Sequence, residues 1–432
     1  MSPELLKVVD RAKRDPNARM VSLARLIDTA ALKRAFDDIR KDAAVGVDGI
    51  TKEQYAQELD SNIQSLHERM RSGRYRHQPI RRVNIPKAGG KTRPIGISTI
   101  EDKIVQRALT EVLKAIYEQD LVNGSYGFRP RRSAHDALRA VDAMVFREGM
   151  AWILEADIQA FFDSLDRKKL MEMLRIRVAD ESFMRLVGKC LHVGVLEGVE
   201  FSRPDEGTAQ GSILSPLLGN VYLHYVLDTW FEREVKPNLT AAARLVRFAD
   251  DFIIGFQSKE DAERVMGMLV ARMTTFGLTL HPDKTRLVPF GRPARGTRVG
   301  KGPATFDFLG FTLYWRRTRS GGWALGMRTR KARLQRALGA LGELCRRHRH
   351  DPLKEQHAAL VRRIQGHLSY FGVNGNMRAL GFLVHEAKRL WHKWLNRRSQ
   401  RKRLNWQRFK DFLKAFPLPI PKIRVQIWAT KT

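Results

Sequence analysis

The run RLVRFADDFIIGF at residues 244–256 places two adjacent carboxylates, Asp250 and Asp251, inside an otherwise apolar stretch. Leu245, Val246 and Phe248 precede the pair, and Phe252, Ile253, Ile254 and Phe256 follow it. Two short strand-like runs joined at Ala-Asp-Asp predict a β-hairpin with the acids at its tip. A buried carboxylate is costly unless it is paired, hydrogen-bonded or bound to metal. The tip is therefore either an exposed turn, since Asp is a common turn former, or part of a metal site.

A metal site at the tip needs a further acidic ligand. WILEADIQAFFD (152–163) offers Asp157, which ends an apolar strand. Its side chains alternate, so that Ile153, Glu155 and Asp157 lie opposite Leu154, Ala156 and Ile158. Asp157 precedes Asp250 by 93 residues. Pairing that strand with the hairpin brings three carboxylates to one face of a sheet. Oxygen ligands without His or Cys point to Mg²⁺, with Mn²⁺ as a substitute. Two such ions ~4 Å apart activate an attacking 3′-oxygen and hold a leaving pyrophosphate, which is nucleotidyl-transfer chemistry. Asp163 and Asp166 lie past the strand end and are expected to cap or turn the chain.

Charge supplies the second constraint. The 432 residues carry a net charge of +32 and 43% hydrophobic residues, so a multi-domain globular protein that attracts polyanions is expected. The excess is uneven: residues 321–432 hold 26 Lys/Arg against five acids, 21 of the +32. A mixed-composition catalytic body followed by a basic, nucleic-acid-gripping module follows from that asymmetry. No apolar run reaches eighteen residues, so no membrane span is expected. The N-terminus lacks the apolar segment of a secretory signal. Cys190 and Cys345 are too few for a disulfide framework, and a reducing, cytoplasmic setting fits.

The pattern along the chain is α+β. Residues 1–75 read as helical, RRVNIPKAGGKTRPIGIS as a hairpin from Arg81, 101–118 as a helix, AWILEADI as a strand and DRKKLMEMLRIRV as a helix. SKEDAERVMGMLVARMTTFG is the clearest helix, with a capping-box-like start at Ser258 and Asp261 and a stop at Gly277. Strands are expected at TRLVPF and FDFLGFTLYW, then helices near 327–347, 353–372 and 376–403. The expected divisions are 1–80, 81–318, a helical bundle over 319–403 and a short basic tail over 404–432.

LEADIQAFFD, GTAQGSILSPLLGNVYL, RFADDFIIGF, GLTLHPDKTRL and FDFLGFTL occur in that order and resemble successive palm blocks of reverse transcriptases. IPKAGGKTRPIGISTIEDKIVQRAL and YGFRPRRSAHDAL resemble the finger blocks of the group II intron subclass. The resemblance covers roughly residues 20–400 and implies a right-hand polymerase. Fingers and an antiparallel palm sheet would be followed by an all-α thumb, or maturase (X) domain, with residues 1–80 opening the fingers. It implies Asp157, Asp250 and Asp251 as the catalytic triad, with the Ile158 carbonyl assisting a metal. Phe162 would be the steric gate that selects dNTPs, and Arg81, Lys87 and Arg93 would clasp the triphosphate. Gln210 and Gly211 would line the nascent-pair pocket, and Lys284 would help pyrophosphate depart. Phe248 and Gly310, the latter in the primer-grip-like FDFLGF, would meet primer and template. So would Lys388, Arg389, Lys393 and Arg397 on a basic, Trp-containing helix. Phe248 and Ala209 depart from the family's Tyr and Pro, changes expected to spare the metals.

The resemblance implies an RNA-directed DNA polymerase acting on a DNA primer and RNA template with dNTPs. The protein would bind intron RNA to assist splicing and retromobility, as a monomer or homodimer, with the tail possessing DNA affinity as one option. A splicing-only RNA binder on an inactive scaffold and a defence, retron or CRISPR-associated reverse transcriptase are the alternatives. GGKT (89–92) is not a phosphate-binding P-loop, because Ile85 stands where its first glycine belongs. CRRHRHD (345–351) lacks the second Cys of a zinc site, and Ser212 and Ser215 lack a His partner in sequence.

Overall fold

The computed structural model describes residues 2–86, 92–197, 200–202, 211–294, 304–318, 320–398 and 404–428, with backbone alone at 86, 93, 195–197 and 200–202. Helices α1 (Pro3–Arg14), α2 (Thr29–Asp37), α3 (Lys52–Ala56) and α4 (Leu59–Arg71) open the chain. Ser2 caps α1 by accepting from Leu5 N at 3.3 Å. In and just past the last turn of α1, the carbonyls of Ala12, Asp15, Pro16 and Ala18 accept from the buried Arg177 guanidinium. Its Nε stands 2.8 Å from Asp120. One cation thus satisfies helix-end carbonyls and ties the N-terminal helix to the body.

Strands β1 (Ile80–Pro86) and β2 (Thr92–Ile97) form the expected hairpin. Helix α5 (Ile100–Asp120) is buried on most faces rather than on one stripe, including Asp102, Gln106 and Thr110. A helix so enclosed is a core element, and α1 and α2 pack on it. Next come α6 (Ala134–Asp142), β3 (Trp152–Asp157), α7 (Arg167–Arg177), α8 (Glu181–Leu191), β4 (Val195–Glu197), β5 (Glu200–Ser202) and α9 (Ser215–Leu223). Strand β4 joins β1 in parallel, so the first sheet runs β2-β1-β4-β5.

The central sheet contains β6 (Ala243–Phe248), β7 (Asp251–Phe256), β3 and β8 (Arg286–Pro289), in the order β6-β7-β3-β8, all antiparallel. Alternation sends Leu154, Ala156, Phe252 and Ile254 into one core with α10 (Lys259–Thr275), and Ile153, Val246, Ile253 and Val288 into a second with α6. Cover on both faces explains why these strands read as nearly continuous apolar runs. Helix α10 starts at Ser258, whose Oγ accepts from Asp261 N at 3.1 Å. The capping box is only half made. The Asp261 carboxylate turns instead to the N–H groups of Thr240 and Ala241, at 2.8 and 3.1 Å.

A three-stranded sheet, β9 (Phe306–Phe308), β10 (Phe311–Arg317) and β11 (Trp323–Thr329), precedes the C-terminal helices. Residues 327–329, expected to begin a helix, are strand: Trp323, Leu325, Met327 and Thr329 alternate inward against β10. The helices are α11 (Lys331–Arg347), α12 (Leu353–Phe371), α13 (Met377–Leu395) and α14 (Trp406–Ala415). The segment after 404 folds back on them, with Phe409 edge-on to the buried Trp391 and Val425 bridging to Val373. No helix among the described residues is long and apolar enough to cross a membrane.

Candidate active site

Register delivers the acids. Pairing Phe248 with Asp251 leaves Ala249 and Asp250 as a two-residue connection, and Asp157 lies opposite Asp251 on the neighbouring strand. Ala249 sits at φ 57°, a left-handed conformation that strains an alanine. What holds it is Arg247, which is fully buried. Its Nε and Nη2 donate to both oxygens of Asp228 at 2.8 and 2.5 Å. Its Nη1 donates to Asn220 Oδ1 at 2.9 Å and to the Ala249 carbonyl at 3.0 Å. Asn220 donates in turn to the Gly127 carbonyl at 2.7 Å. A Cβ on Gly127 would stand 2.3 Å from Ala249 N, so only glycine lets that loop reach the turn.

Asp157, Asp250 and Asp251 line one open cleft of about 1560 Å³, together with Phe162, Phe248, Lys284 and Gly310. Burial pushes the Asp251 carboxyl up to about 7. A hydrogen bond from Leu309 N at 3.3 Å opposes that rise, while the Asp250, Asp157 and Glu155 carboxylates add to it. Negative charge is thus concentrated at this turn. Lys284 supplies part of the compensation, with Nζ 2.5 Å from Asp157 Oδ2. It reaches there because His281 N donates to the Asp157 carbonyl at 2.7 Å and begins the short turn Pro282–Lys284. Among the described residues, no three His, Cys, Asp or Glu side chains are gathered closely enough to hold a metal ion as they stand. The donors nevertheless suit a hard divalent cation in type and charge, and the Lys284 ammonium stands where positive charge is wanted.

The expected residues divide. Phe162 lines the cleft and meets Phe161 edge-on at 5.1 Å; Phe161 is core. The aromatics of FDFLGF, Phe306, Phe308 and Phe311, are core as well, while Gly310 and Leu309 make the turn with φ 82° and 51°. Asp166 caps α7, as expected. Gly211 lies at φ 112°, and the backbone a Cβ there would strike is Gly96 O on β2, at 2.4 Å. Arg81 departs from expectation: its guanidinium donates to the Val45 carbonyl at 3.1 and 2.8 Å, away from the cleft lining. Lys87, Ala209 and Gln210 lie outside the described residues, as does the Arg93 side chain.

Lys388, Arg389, Lys393 and Arg397 do not line the cleft either. Helix α13 buries Leu380, Leu383, Val384, Ala387 and Trp391, which leaves its cations on another face. Besides Lys284 and Arg286, the cations that line the cleft are Arg330, Arg333 and Arg336, with Arg362 and Arg363 from α12. Spacing of three in RTRKARLQR was the available signal for the first set. Glu155 was also missed. It is buried beside Asp157, where it accepts from Arg286 Nε at 2.5 Å and from Asp307 N at 2.6 Å.

Residues 85–313 match the family described as reverse transcriptase (RNA-dependent DNA polymerase). The chain is similar to Protein YkfC of Escherichia coli (strain K12): 33% identity over 352 residues, 73% of this chain and 88% of that protein. It is similar to the group II intron-encoded protein LtrA of Lactococcus lactis subsp. cremoris, with 28% identity over 344 residues. That match covers 66% of this chain and 55% of LtrA, so the chain spans about half of that relative. A 91 kDa protein in a cob intron of Schizosaccharomyces pombe shares 34% over 281 residues, 53% of this chain and 34% of that protein.

Proposed function

This chain belongs to the group II intron-encoded reverse transcriptase/maturase family, and on that premise we propose that it is an active RNA-directed DNA polymerase. It extends a DNA primer on an RNA template with dNTPs, and it binds intron RNA to assist splicing and mobility. The observation that supports activity is the pairing of Asp157 with Asp251 across adjacent strands, with Asp250 in the same cleft.

Asp157, Asp250, Asp251 and the Ile158 carbonyl would hold two Mg²⁺, or Mn²⁺, which lower the cost of charge on the primer 3′-oxygen and on the leaving pyrophosphate. The protein's own groups do the rest. Lys284, held against the Asp157 carboxylate with Nζ 2.5 Å from Oδ2, would supply the proton that the departing pyrophosphate takes up. Phe162, which lines the same cleft, excludes a ribose 2′-OH. Lys87 and Arg93 clasp the triphosphate, with Gln210 and Gly211 at the nascent pair. The central sheet acts as the palm, the β1–β2 hairpin belongs to the fingers, and α11 to α13 form the thumb. The guanidinium row at Arg330, Arg333 and Arg336 holds duplex phosphates.

Primer extension on an RNA template tests the reading. The native chain is expected to add nucleotides only with Mg²⁺ or Mn²⁺, and Asp250→Ala to fall to background. Equal, metal-independent background in both would leave a splicing-only RNA binder.

A further inference from the structure

Leu309 occupies a position that suits another residue. Register pairs Phe308 with Phe311 across β9 and β10, so Leu309 and Gly310 form a two-residue connection, at φ 51° and 82°. A tight turn with both central residues at positive φ ordinarily takes Asn-Gly, and a leucine at its first place is held against its preference. Such a conformation persists only where the surroundings impose it. Three hydrogen bonds do so, each to a different part of the fold. Leu309 N donates to Asp251 Oδ2 at 3.3 Å. Arg330 N donates to the Gly310 carbonyl at 2.9 Å, and Tyr370 Oη donates to the Leu309 carbonyl at 2.9 Å.

Tyr370 is well fixed for that task. It lies in the last turn of α12, and its own carbonyl accepts from His135 Nε2 on α6 at 2.8 Å. Its ring stacks on Phe311, with centroids 5.8 Å apart and planes 29° apart, and meets Phe371 edge-on at 4.8 Å. Burial pushes its hydroxyl up to about 12, so the proton it donates stays in place at working pH. A half-buried tyrosine ordinarily finds some partner for its hydroxyl, and packing alone would account for the ring. The choice of acceptor decides otherwise. The carbonyl belongs to the strained residue, and the N–H of that same residue reaches the acid that lies opposite Asp157. Tyr370, Leu309 and Asp251 line one cleft, with Arg362 and Arg363 from the same helix.

We infer that Tyr370 is a positioning residue for nucleotide addition: its hydroxyl locks the Leu309–Gly310 turn, and the Leu309 N–H then sets the direction of the Asp251 carboxylate. This rests on the polymerase reading. With one oxygen tied to the turn, the carboxylate is presented to the cleft in one rotation instead of many. A C-terminal helix that carries cations into the cleft thus also completes the acidic site, through a single hydroxyl.

The full-length protein is bound to an RNA template paired to a dideoxy-terminated DNA primer, with the matching dNTP present, so that no bond can form. Mn²⁺ is titrated in, and the free ion is read by electron paramagnetic resonance against the same nucleic acid and dNTP without protein. Tyr370→Phe removes the hydroxyl alone and is expected to weaken Mn²⁺ binding about fivefold, the worth of one hydrogen bond. The Mg²⁺ concentration for half-maximal extension should rise by a like factor, while template–primer affinity and the unfolding midpoint stay as in the native protein. Leu309→Asn favours the left-handed conformation unaided, so Tyr370→Phe in that background should cost less than about twofold. Native-like Mn²⁺ binding and Mg²⁺ requirement in Tyr370→Phe would overturn the inference. So would equal losses in both backgrounds, or a loss matched by weaker template–primer binding and a lower unfolding midpoint. Failure of the polymerase reading is a different outcome: a native chain that takes up Mn²⁺ in this complex yet never extends a primer with a free 3′-OH.

Discussion

Arg247 carries a charge with none of its side chain exposed, paired with an equally buried Asp228. Such a pair gains little net stability, because desolvation of both ions offsets their attraction. What it provides is placement, since the same guanidinium holds Asn220 and the Ala249 carbonyl behind the Asp250 turn. Arg247→Leu should therefore cost about 3–5 kcal/mol in urea unfolding, as the Asp228 charge is left buried alone. The double variant Arg247→Leu, Asp228→Leu should recover part of that loss while still failing to extend primers. A double variant that loses the sum of the two single losses would show that the pair is uncoupled. The three acids were legible in the sequence because nothing local explains carboxylates in apolar runs. Arg247 lies in the same run, yet its partners Asp228 and Asn220 come from a segment with no spacing that announces them. Arg81 shows the converse limit. Its charge was legible, but its direction was decided by the Val45 carbonyl within reach.

Elements with a strong period were readable, and those with a short or mixed period were not. The β1–β2 and β6–β7 hairpins and α10 stand where alternation and helical spacing put them. Strand β11 was hidden because WALGMRT alternates its apolar residues with the small Ala324 and Gly326 rather than with polar ones, and runs straight into an Arg-rich helix. The basic helix α13 was readable as a helix, but its orientation depended on which face α11 and α12 would cover. Its Arg389 pairs with Glu386 at 2.9 Å, and Lys393 and Arg397 lie over Trp394. Duplex binding should accordingly depend on the other row. Arg333→Gln with Arg336→Gln should weaken primer–template affinity and flatten its log–log salt dependence by about one to two units. Lys393→Gln with Arg397→Gln should leave both within about twofold. Anisotropy titrations at several salt concentrations separate the two, and the reverse result would return the duplex to α13.

Across the whole molecule, a net charge of +32 surrounds a small enclave of carboxylates. The charge excess and its C-terminal bias were plain in composition, whereas the enclave exists only because β3 and β7 pair Asp157 with Asp251. The two features oppose each other when nucleic acid arrives, because phosphates drawn by the basic surface meet carboxylates at the centre. Burial already holds the Asp251 carboxyl up to about 7. Asp251→Asn keeps the side chain's size, removes that charge and leaves every cation in place. Affinity for an RNA–DNA duplex at 0.15 M salt should therefore stay equal or tighten by a few fold, with an unchanged salt slope, while nucleotide addition falls to background. Binding would then be a property of the distributed field and chemistry a property of one turn. If affinity instead falls in step with addition, the acids help to shape the cleft itself, and the two properties cannot be assigned to separate parts of the fold.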